Sequence, residues 1–303
     1  KSVLDEQVVL FDPPEAYLTL NQQPSGTRFG ADAIFNGENR PRGAMISYVV
    51  NKPEEQKDEE EESSKKKKKK NKDNDDAPEE KSDDTEKVSY DSLTLEVYNG
   101  SGDLIRTLKQ KAPKEDGVNR MYWYLDEKGA DLPSRRDPRG NREPGGVDVL
   151  PGTYKLKLTF GDAADSAMIS VKFDPRVKMS DNTLAAKRSM QKRIEESQAT
   201  AADAMKRLRE SKDIVEKYMK EMKEKDEDGF KELLDKSKAI KDSIEALMVP
   251  IVGEDNSDNE GIVRSPIPDI GDRLGTASFY IGSSLQAPGA TEERLVKQAE
   301  DKL

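Results

Sequence analysis

The chain has 303 residues, of which 33% are hydrophobic and 37% are charged, and its formal net charge of −10 argues against nucleic acid as a partner, because phosphate binding needs a basic surface. It contains no cysteine and no histidine, which excludes disulfides, thiolate metal sites and the Ser-His-Asp triad, but leaves carboxylate-only hydrolases and Ser-Lys enzymes as compatible classes. No segment approaches the roughly 18 consecutive apolar residues that predict a membrane span.

The first predicted β-strand is Ala44–Val50, a segment rich in β-formers that follows the turn-like residues 36–43. Residues 53–87 come next and form a polyampholyte, in which acidic blocks flank the lysine run Lys65–Lys70. Because almost none of these residues is apolar, burial cannot offset the ordering entropy, and we predict a disordered insert in a surface loop. An anion-binding patch is the alternative for the lysine run, and the neighbouring acids disfavour it.

Five segments after the insert show the alternation and turn signals that predict further β-strands. Asn99–Gly102 and Gly161-Asp162 supply two of these turns, which indicate hairpins. Six or seven short strands separated by turns favour an antiparallel β-sandwich, which we assign to residues 1–52 and 88–177. The five segments are Leu93–Tyr98, Leu104–Leu108, Met121–Leu125, Thr153–Phe160 and Ala167–Phe173.

Helical periodicity replaces the strand pattern after Asp174-Pro175, and residues 178–303 are predicted to form a helical bundle. Ser180 or Asp181 is the predicted N-cap of the first helix. Apolar residues at spacings of three and four predict that two antiparallel helices pack along a common seam. The predicted seam residues are Ile194, Ala201, Met205, Leu208, Val215, Met219 and Met222 in the first helix, and Phe230, Leu233, Ser237, Ile240, Ile244 and Leu247 in the second.

The remaining helical predictions concern the ends of these elements. A turn is predicted at Asp226–Gly229, and Pro250 is expected to end the second helix. The three methionines of the first helix could instead form an adaptable binding surface, although core packing is the expected role. A third helix is predicted from Ile270, Leu274, Ala277, Ile281 and Leu285, and a fourth from a cap at Thr291 to the chain end at Leu303.

Trp123 is predicted to be the large aromatic residue of the sandwich core, since it lies in the middle of a strand. Alternation along that strand places Tyr122 and Tyr124 on the opposite face from Trp123. These three aromatic residues could alternatively stack on a carbohydrate.

Several polar motifs are candidate sites. Asp126, Glu127 and Asp131 could pair as glycosidase carboxylates, but they lie in the polar turn that follows a strand. The segment Asp255–Gly261 is rich in the oxygen ligands that calcium prefers, but it departs from the EF-hand spacing. The sequon Asn99-Gly100-Ser101 is interpreted as a hairpin turn. We therefore predict no catalytic residue, no metal site and no cofactor in this chain.

The strand sequences resemble the Ig-like domain of the flagellar hook-capping type. The resemblance rests on Leu93–Asp103 together with Arg106–Leu108, on Gly117–Trp123 and on Leu150–Tyr154. The strand exit Val171–Val177, followed by paired helices and by the connection Gln286–Thr291, is similar to the C-terminal region of exported bacterial proteins that carry a sortilin-like β-propeller with sialidase-type (BNR) repeats. The turn Pro151–Tyr154 and the strand exit Asp174–Arg176 resemble motifs that recur in that family. The charged insert departs from it.

The resemblance implies a non-catalytic structural or interaction module, whose partner is an upstream β-propeller in the same parent chain. A protein or a glycan is a further possible partner, and export to the periplasm, the cell surface or the medium is expected. The chain begins at Lys1 without methionine, so we expect a mature form or a piece of a longer protein. The alternative function is a carbohydrate-binding accessory module of an exported glycoside hydrolase or peptidase.

Overall fold

The computed structural model describes residues 3–19, 41–52, 90–114, 117–137, 140, 143–225, 228–254 and 268–303. The predicted insert 53–87 and the calcium-like segment Asp255–Gly261 lie outside these residues. The described residues form a mixed α/β structure, in which 44% of them are helical and 27% lie in strands. It divides into two compact units, which we name the β unit and the helical unit.

Strands and helices are labelled in chain order over the described residues. The strands are β1 (Val8–Leu10), β2 (Ala16–Leu18), β3 (Ala44–Val50), β4 (Ser92–Tyr98), β5 (Leu104–Lys111), β6 (Asn119–Trp123), β7 (Asp126–Lys128), β8 (Gly145–Asp148), β9 (Gly152–Phe160) and β10 (Ala163–Phe173). The helices are α1 (Asp181–Lys225), α2 (Lys231–Val252), α3 (Ile270–Ser283) and α4 (Ala290–Glu300). Short 3-10 turns lie at Val3–Asp5 and Asp228–Phe230.

The strands form a three-stranded sheet in the order β1-β3-β6, a five-stranded sheet in the order β2-β10-β9-β4-β5, and a two-stranded sheet of β7 and β8. Pairing in the two larger sheets is antiparallel, except that β2 runs parallel to β10. The sequence predicted the central strands, while it missed the short strands β1, β2, β7 and β8. Strands of three or four residues are too short to show a period.

Alternation along the strands builds the core of the β unit. In β9 the side chains of Tyr154, Leu156, Leu158 and Phe160 are buried, as their spacing predicts, while residues between them are exposed or half-buried. Buried residues of both larger sheets belong to one hydrophobic cluster. The predicted turn at Gly161-Asp162 joins β9 to β10.

The first helix begins as predicted. The Oγ of Ser180 accepts a hydrogen bond from the backbone N–H of Thr183 at 3.2 Å, so Ser180 caps α1. Ile194, Ala201 and Met205 of α1 are buried, and Leu208 and Val215 pack against the same cluster.

The predicted face of the second helix is only partly correct. Ile244 is buried, but Leu233, Ile240 and Leu247 are 49%, 52% and 60% exposed. The buried face of α2 instead consists of Ile244, Met248 and Ile251. At about 100° per residue, Ile240 and Leu247 are rotated about 40° and 60° from Ile244, so they lie beside the buried face. Leu233 lies in the same direction as Ile251, so that side of α2 is covered at Ile251 and exposed at Leu233.

Two predicted helix ends are also wrong. Pro250 does not end α2, because the helix continues to Val252. Proline lacks a backbone N–H and so removes only one hydrogen bond near the last turn. The helix ends at Gly253, which adopts a φ of +73°. Thr291 does not cap α4, which follows Gly289; the N–H of Gly289 donates to Glu292 Oε2 at 2.9 Å. Leu285 lies beyond the end of α3 and is 41% exposed.

The boundary between the units differs from the predicted one. The β unit ends at Phe173, and Glu127–Asp148 groups with the helices and not with the strands that flank it. Within this segment, a Cβ atom added to Gly146 would lie 2.6 Å from Glu195 Oε1 on α1, so the backbone of Gly146 closely approaches that side chain. The excursion therefore leaves the β unit after β6 and packs as part of the helical unit.

Candidate functional site

Trp123 is the single tryptophan of the chain and is fully buried in the β unit. Met121 and Trp123 of β6 point into the core, and Tyr122 between them is half-buried on the other face. The indole Nε1 donates to the backbone oxygen of Asp126 at 2.9 Å. The ring meets Tyr154 edge-on, with centroids 5.5 Å apart and an interplanar angle of 66°. Trp123 is thus a core residue, as its position predicts, with no face open for sugar stacking.

The strand containing Trp123 ends earlier than predicted. Leu125 adopts a φ of +62°, which is uncommon for a residue other than glycine, and its side chain is fully buried. Its backbone oxygen accepts from the N–H of Val149 at 2.8 Å. Tyr124, just before it, is 46% exposed. Of the three aromatic residues that could stack on a carbohydrate, Tyr124 is the most accessible.

Asp126 and Asp131, two of the three candidate carboxylates, lie in different settings. Asp126 forms an ion pair with Arg106, with 3.5 Å between Oδ2 and Nη2, and the Arg106 side chain is only 4% exposed. Removing an arginine from water favours pairing with a carboxylate. Asp131 is exposed in the segment after β7.

Glu127, the third candidate carboxylate, pairs with two cations of α1. Its Oε1 accepts a hydrogen bond from Arg188 Nη2, and its Oε2 lies 3.0 Å from Lys192 Nζ. Lys192 also contacts Glu195 at 2.8 Å. Burial raises the pKa of Glu127, but Arg188 and Lys192 outweigh burial and hold that pKa below its usual value. A glycosidase general acid needs a raised pKa, so this environment favours the ionised carboxylate of a structural ion pair.

Sequence reasoning missed Arg135, which connects the excursion Glu127–Asp148 to α2. Its Nη1 donates to Glu245 Oε2 at 2.8 Å, and its Nη2 donates to the backbone oxygen of Gly253 at 2.5 Å. Lys212 on α1 also pairs with Glu245 and, with Arg135, lowers the pKa of that carboxyl despite its burial. An isolated arginine in a loop carries no sequence signal, because its partners lie 110 and 118 residues away.

The turn Asp174–Arg176, which carries part of the family resemblance, is closed by its own side chains. Arg176 donates from its backbone N–H at 3.0 Å to Asp174 Oδ1, and from Nη2 at 2.6 Å to Asp174 Oδ2. These hydrogen bonds lower the pKa of Asp174 to about 2. The motif is therefore a self-contained turn at the start of the helical unit.

The three methionines of the predicted seam in α1 differ in how far they are buried. Met205 is fully buried, whereas Met219 and Met222 are half-buried. Met219 lines a shallow depression of about 330 Å³ whose other lining residues are charged. A mixture of lysines and glutamates with one thioether offers little apolar surface for a small molecule.

Asn99 of the sequon organises the β4–β5 turn, as predicted. Its Oδ1 accepts from the backbone N–H groups of Ser101 and Asp103, each at 2.9 Å, and its Nδ2 donates to the Asp103 carboxylate at 2.9 Å. Lys65–Lys70 and Asp255–Gly261, the other polar motifs, lie outside the described residues.

Across the described ranges, no three acidic side chains converge in a way that could hold a metal ion. None of the helices in those ranges combines the length and apolarity that a membrane span requires. No family model, curated protein or solved structure matches this chain.

Proposed function

We propose that this chain is a non-catalytic structural and interaction module, built from an Ig-like antiparallel β-sandwich followed along the chain by an antiparallel helical bundle. One observation carries the proposal: the side chains best suited to chemistry are engaged in structural contacts. Trp123 is fully buried, and Glu127 is held by Arg188 and Lys192. Such groups stabilise packing and are poorly placed to meet a substrate.

The Ig-like part of the proposal is supported by the sheets of the β unit. Two mainly antiparallel sheets contribute buried residues to one cluster, as the layers of a sandwich do. The Tyr154 hydroxyl donates to the backbone oxygen of Leu150 at 2.6 Å, four residues upstream. A tyrosine that bonds back to the preceding backbone at a strand corner is a feature of Ig-type sandwiches.

The helical part is supported by ion pairs between α1 and α2. Lys212 pairs with Glu245, and Glu216 pairs with Lys241 at 2.7 Å. Residue numbers rise along α1 as they fall along α2, which is the relation expected of an antiparallel hairpin.

The proposed setting is an exported bacterial protein in which this region follows a sortilin-like β-propeller with sialidase-type repeats. Support comes from the resemblance of Pro151–Tyr154 and Asp174–Arg176 to that family. Both motifs have clear structural roles here, since Tyr154 anchors a core corner and Asp174 closes a turn. The propeller of the parent chain is the proposed partner of this module.

The proposal is tested by assaying the purified chain against panels of fluorogenic glycosides and peptides. We expect no turnover above a buffer blank, because Glu127 is ionised and paired. The matched control is Glu127→Gln, which keeps the shape of the side chain but removes its charge. Turnover by the wild-type chain that disappears in Glu127→Gln would overturn the non-catalytic assignment. Fractionation of the native cells, with detection of the chain in the exported fraction, tests the proposed location.

A carbohydrate-binding accessory module of an exported glycoside hydrolase or peptidase is the second candidate. Tyr124 favours it, because this side chain is 46% exposed and aromatic rings stack on sugars. A glycan array separates the candidates. Binding that is lost in Tyr124→Ala and kept in Tyr17→Ala, another exposed tyrosine, would support the glycan-binding function.

A further inference from the structure

The strand β5 is the longest edge strand in the two larger sheets of the β unit. It ends the five-stranded sheet, and β4 is the one strand that pairs with it in the described ranges. The other edge strands, β1, β2 and β6, have three, three and five residues, against eight in β5. An edge strand presents backbone N–H and C=O groups to which a further strand can bind. Of these edges, β5 therefore offers the greatest length for such an addition.

The hydrogen bonds of the β4–β5 hairpin show which backbone groups of β5 point away from the sheet. The N–H of Ala112 donates to the backbone oxygen of Asp91 at 2.8 Å, in the same register as the rest of the hairpin. Because the direction of these bonds alternates along an antiparallel strand, the even-numbered residues from 106 to 112 face β4. The backbone groups of Lys109 and Lys111 therefore point outward, and no hydrogen bond engages them within the described residues.

The side chains of Lys109 and Lys111 lie on the solvent-exposed face of the sheet. Leu108 faces the core, so alternation along β5 places residues 109 and 111 on the opposite face, and both lysines are exposed. Over the part of the chain that the structure describes, neither ammonium group forms an ion pair. Lysines on an edge strand deter pairing with ordinary strands, but they attract a strand that carries acids at the opposite positions.

Two other edges are less open to a further strand. On the far side of the same sheet, Lys172 beside β2 is already paired with Glu15. In the three-stranded sheet, the N–H of Leu10 in β1 donates to the carboxylate of Asp165 at 2.8 Å. These contacts occupy the cation at one edge and a backbone donor at the other.

We propose that β5 binds an acidic protein segment by strand addition, with two acidic side chains, separated by one residue, opposite Lys109 and Lys111. The segment runs antiparallel to β5, so directly opposed residues have Cα atoms about 5.5 Å apart and their charged ends can pair. Alternate residues repeat about every 6.8 Å in both strands, so both ion pairs form in a single register. This inference rests on the proposed interaction function and names the chemistry of the partner.

A polypeptide suits this edge better than other anions do. Its own N–H and C=O groups repeat with the period of β5, so it can bind the outward backbone groups of Lys109 and Lys111 and their ammonium groups together. An anionic polysaccharide or a lipid headgroup would neutralise the lysines but would not continue the sheet. The edge therefore favours a segment of the form acid-x-acid in an extended conformation.

Binding is measured with the full chain and a fluorescent blocked peptide of about eight residues, which carries two glutamates separated by one valine. The double substitution Lys109→Glu with Lys111→Glu should weaken binding at least about tenfold, because two attractive cross-strand pairs become repulsive. Lys155→Glu is the matched control. Lys155 is exposed on the same face, two strands and about four residues away, about 17 Å from Lys109 and beyond the screening length at physiological salt.

Peptides methylated on the backbone separate strand addition from simple charge attraction. In the proposed register the N–H groups of both glutamates point at β5, and the N–H of the valine between them points away. Methylation of the two glutamate nitrogens should abolish binding, while methylation of the valine nitrogen should be tolerated. Amide hydrogen exchange at Lys109 and Lys111 should also slow when the unmethylated peptide binds. Circular dichroism and Trp123 emission of each variant verify the fold.

Four results would overturn the proposal. Absence of peptide binding at about 1 mM would assign Lys109 and Lys111 to protection of the edge alone. Binding that survives methylation of the glutamate nitrogens would show charge attraction without strand addition, and an equal loss in Lys155→Glu would place the peptide elsewhere on the face. Binding to anionic lipid vesicles but not to the peptide would assign the edge to a membrane surface. The turnover assay is independent of peptide binding, so each of these results leaves the non-catalytic assignment intact.

Discussion

Replacement of Tyr154 tests the central packing contact of the β unit. The ring is buried and meets Trp123 edge-on at 5.5 Å, while its hydroxyl donates to the backbone oxygen of Leu150 at 2.6 Å. Tyr154→Phe removes only the hydrogen bond, and Tyr154→Ala removes the ring as well. Comparison of the two variants therefore separates the polar and apolar contributions of one side chain.

The expected magnitudes follow from these contacts. Loss of a single hydrogen bond costs about 1 kcal/mol, and Leu150 is itself partly exposed, so water can replace the lost donor. Loss of the buried ring should cost about 3–5 kcal/mol, by analogy with other aromatic-to-alanine changes in cores. The free energy of unfolding of the β unit should thus fall about three to five times more in Tyr154→Ala than in Tyr154→Phe.

Trp123 provides the assay, because it is the only tryptophan and lies buried in the β unit. Its emission should shift to longer wavelength when that unit unfolds in urea. With a denaturant slope of about 2 kcal/mol per M, Tyr154→Phe should lower the midpoint by about 0.5 M and Tyr154→Ala by about 2 M. Ellipticity at 222 nm follows the helices separately.

Tyr124→Phe is the matched control, since it deletes the same hydroxyl from a side chain that is 46% exposed. It should change the unfolding midpoint by less than about 0.25 M. The reasoning would be refuted if Tyr154→Ala were tolerated as well as Tyr124→Phe, because the ring could not then be part of the core. Equal losses in Tyr154→Phe and Tyr154→Ala would refute the division between hydrogen bond and packing.

Three other contacts give further predictions. Gly161 adopts a φ of +62°, and a methyl group at this position would lie 2.1 Å from the ring of Tyr90, so Gly161→Ala should lower the free energy of unfolding in urea by more than about 2 kcal/mol. Gly102 adopts a φ of +89° but has open space around it, so Gly102→Ala should lower the free energy of unfolding by only about 1 kcal/mol. Glu127→Gln should lower the free energy of unfolding of the helical unit by about 1–2 kcal/mol at pH 7, as measured by ellipticity at 222 nm. The pKa of Glu127 is lowered on folding, so its contribution is present above about pH 4.5 and is lost as the pH falls through the folded-state pKa. The difference in stability between the variant and the wild type should therefore shrink progressively on acidification below about pH 4.5. Arg135→Ala should lower helical stability by about 1–2 kcal/mol, and Arg136→Ala, at a neighbouring exposed position, should not.

Each of these predictions has a contrary outcome. A Gly161→Ala variant no less stable than Gly102→Ala would mean that the tyrosine ring can move aside. A pH-independent effect of Glu127→Gln would show that its charge is not what the α1 cations recognise. Equal effects at Arg135 and Arg136 would indicate a general loss of charge instead of the specific contacts described.

Local sequence determined much of the β unit. Tyr154 and Leu156 alternate with polar residues, and the structure buries them as predicted. Asn99 closes a hairpin, because its short side chain can accept from two following N–H groups. Ser180 caps α1 for a similar reason. These features depend on atoms within a few residues of one another, so the sequence is sufficient to predict them.

The error at α2 shows where local spacing stops being informative. Leu233, Ile240 and Leu247 have the spacing of a packed seam, yet the structure buries Met248 and Ile251 beside Ile244 instead. A helix with apolar residues on two adjoining sides can bury either, and the choice depends on where its partner helix lies. The ion pairs between α1 and α2 join residues far apart in sequence, so no local pattern records where α1 lies.

The sequence by itself therefore determined the types of the main elements and the side chains that share a face along each of them. Only the tertiary structure decided which of those faces is covered, that Glu127–Asp148 leaves the strands to join the helices, and that Arg135 binds the end of α2. The physical reason is that periodicity reflects backbone geometry within one element, whereas burial and ion pairing depend on distances between elements that no local pattern records.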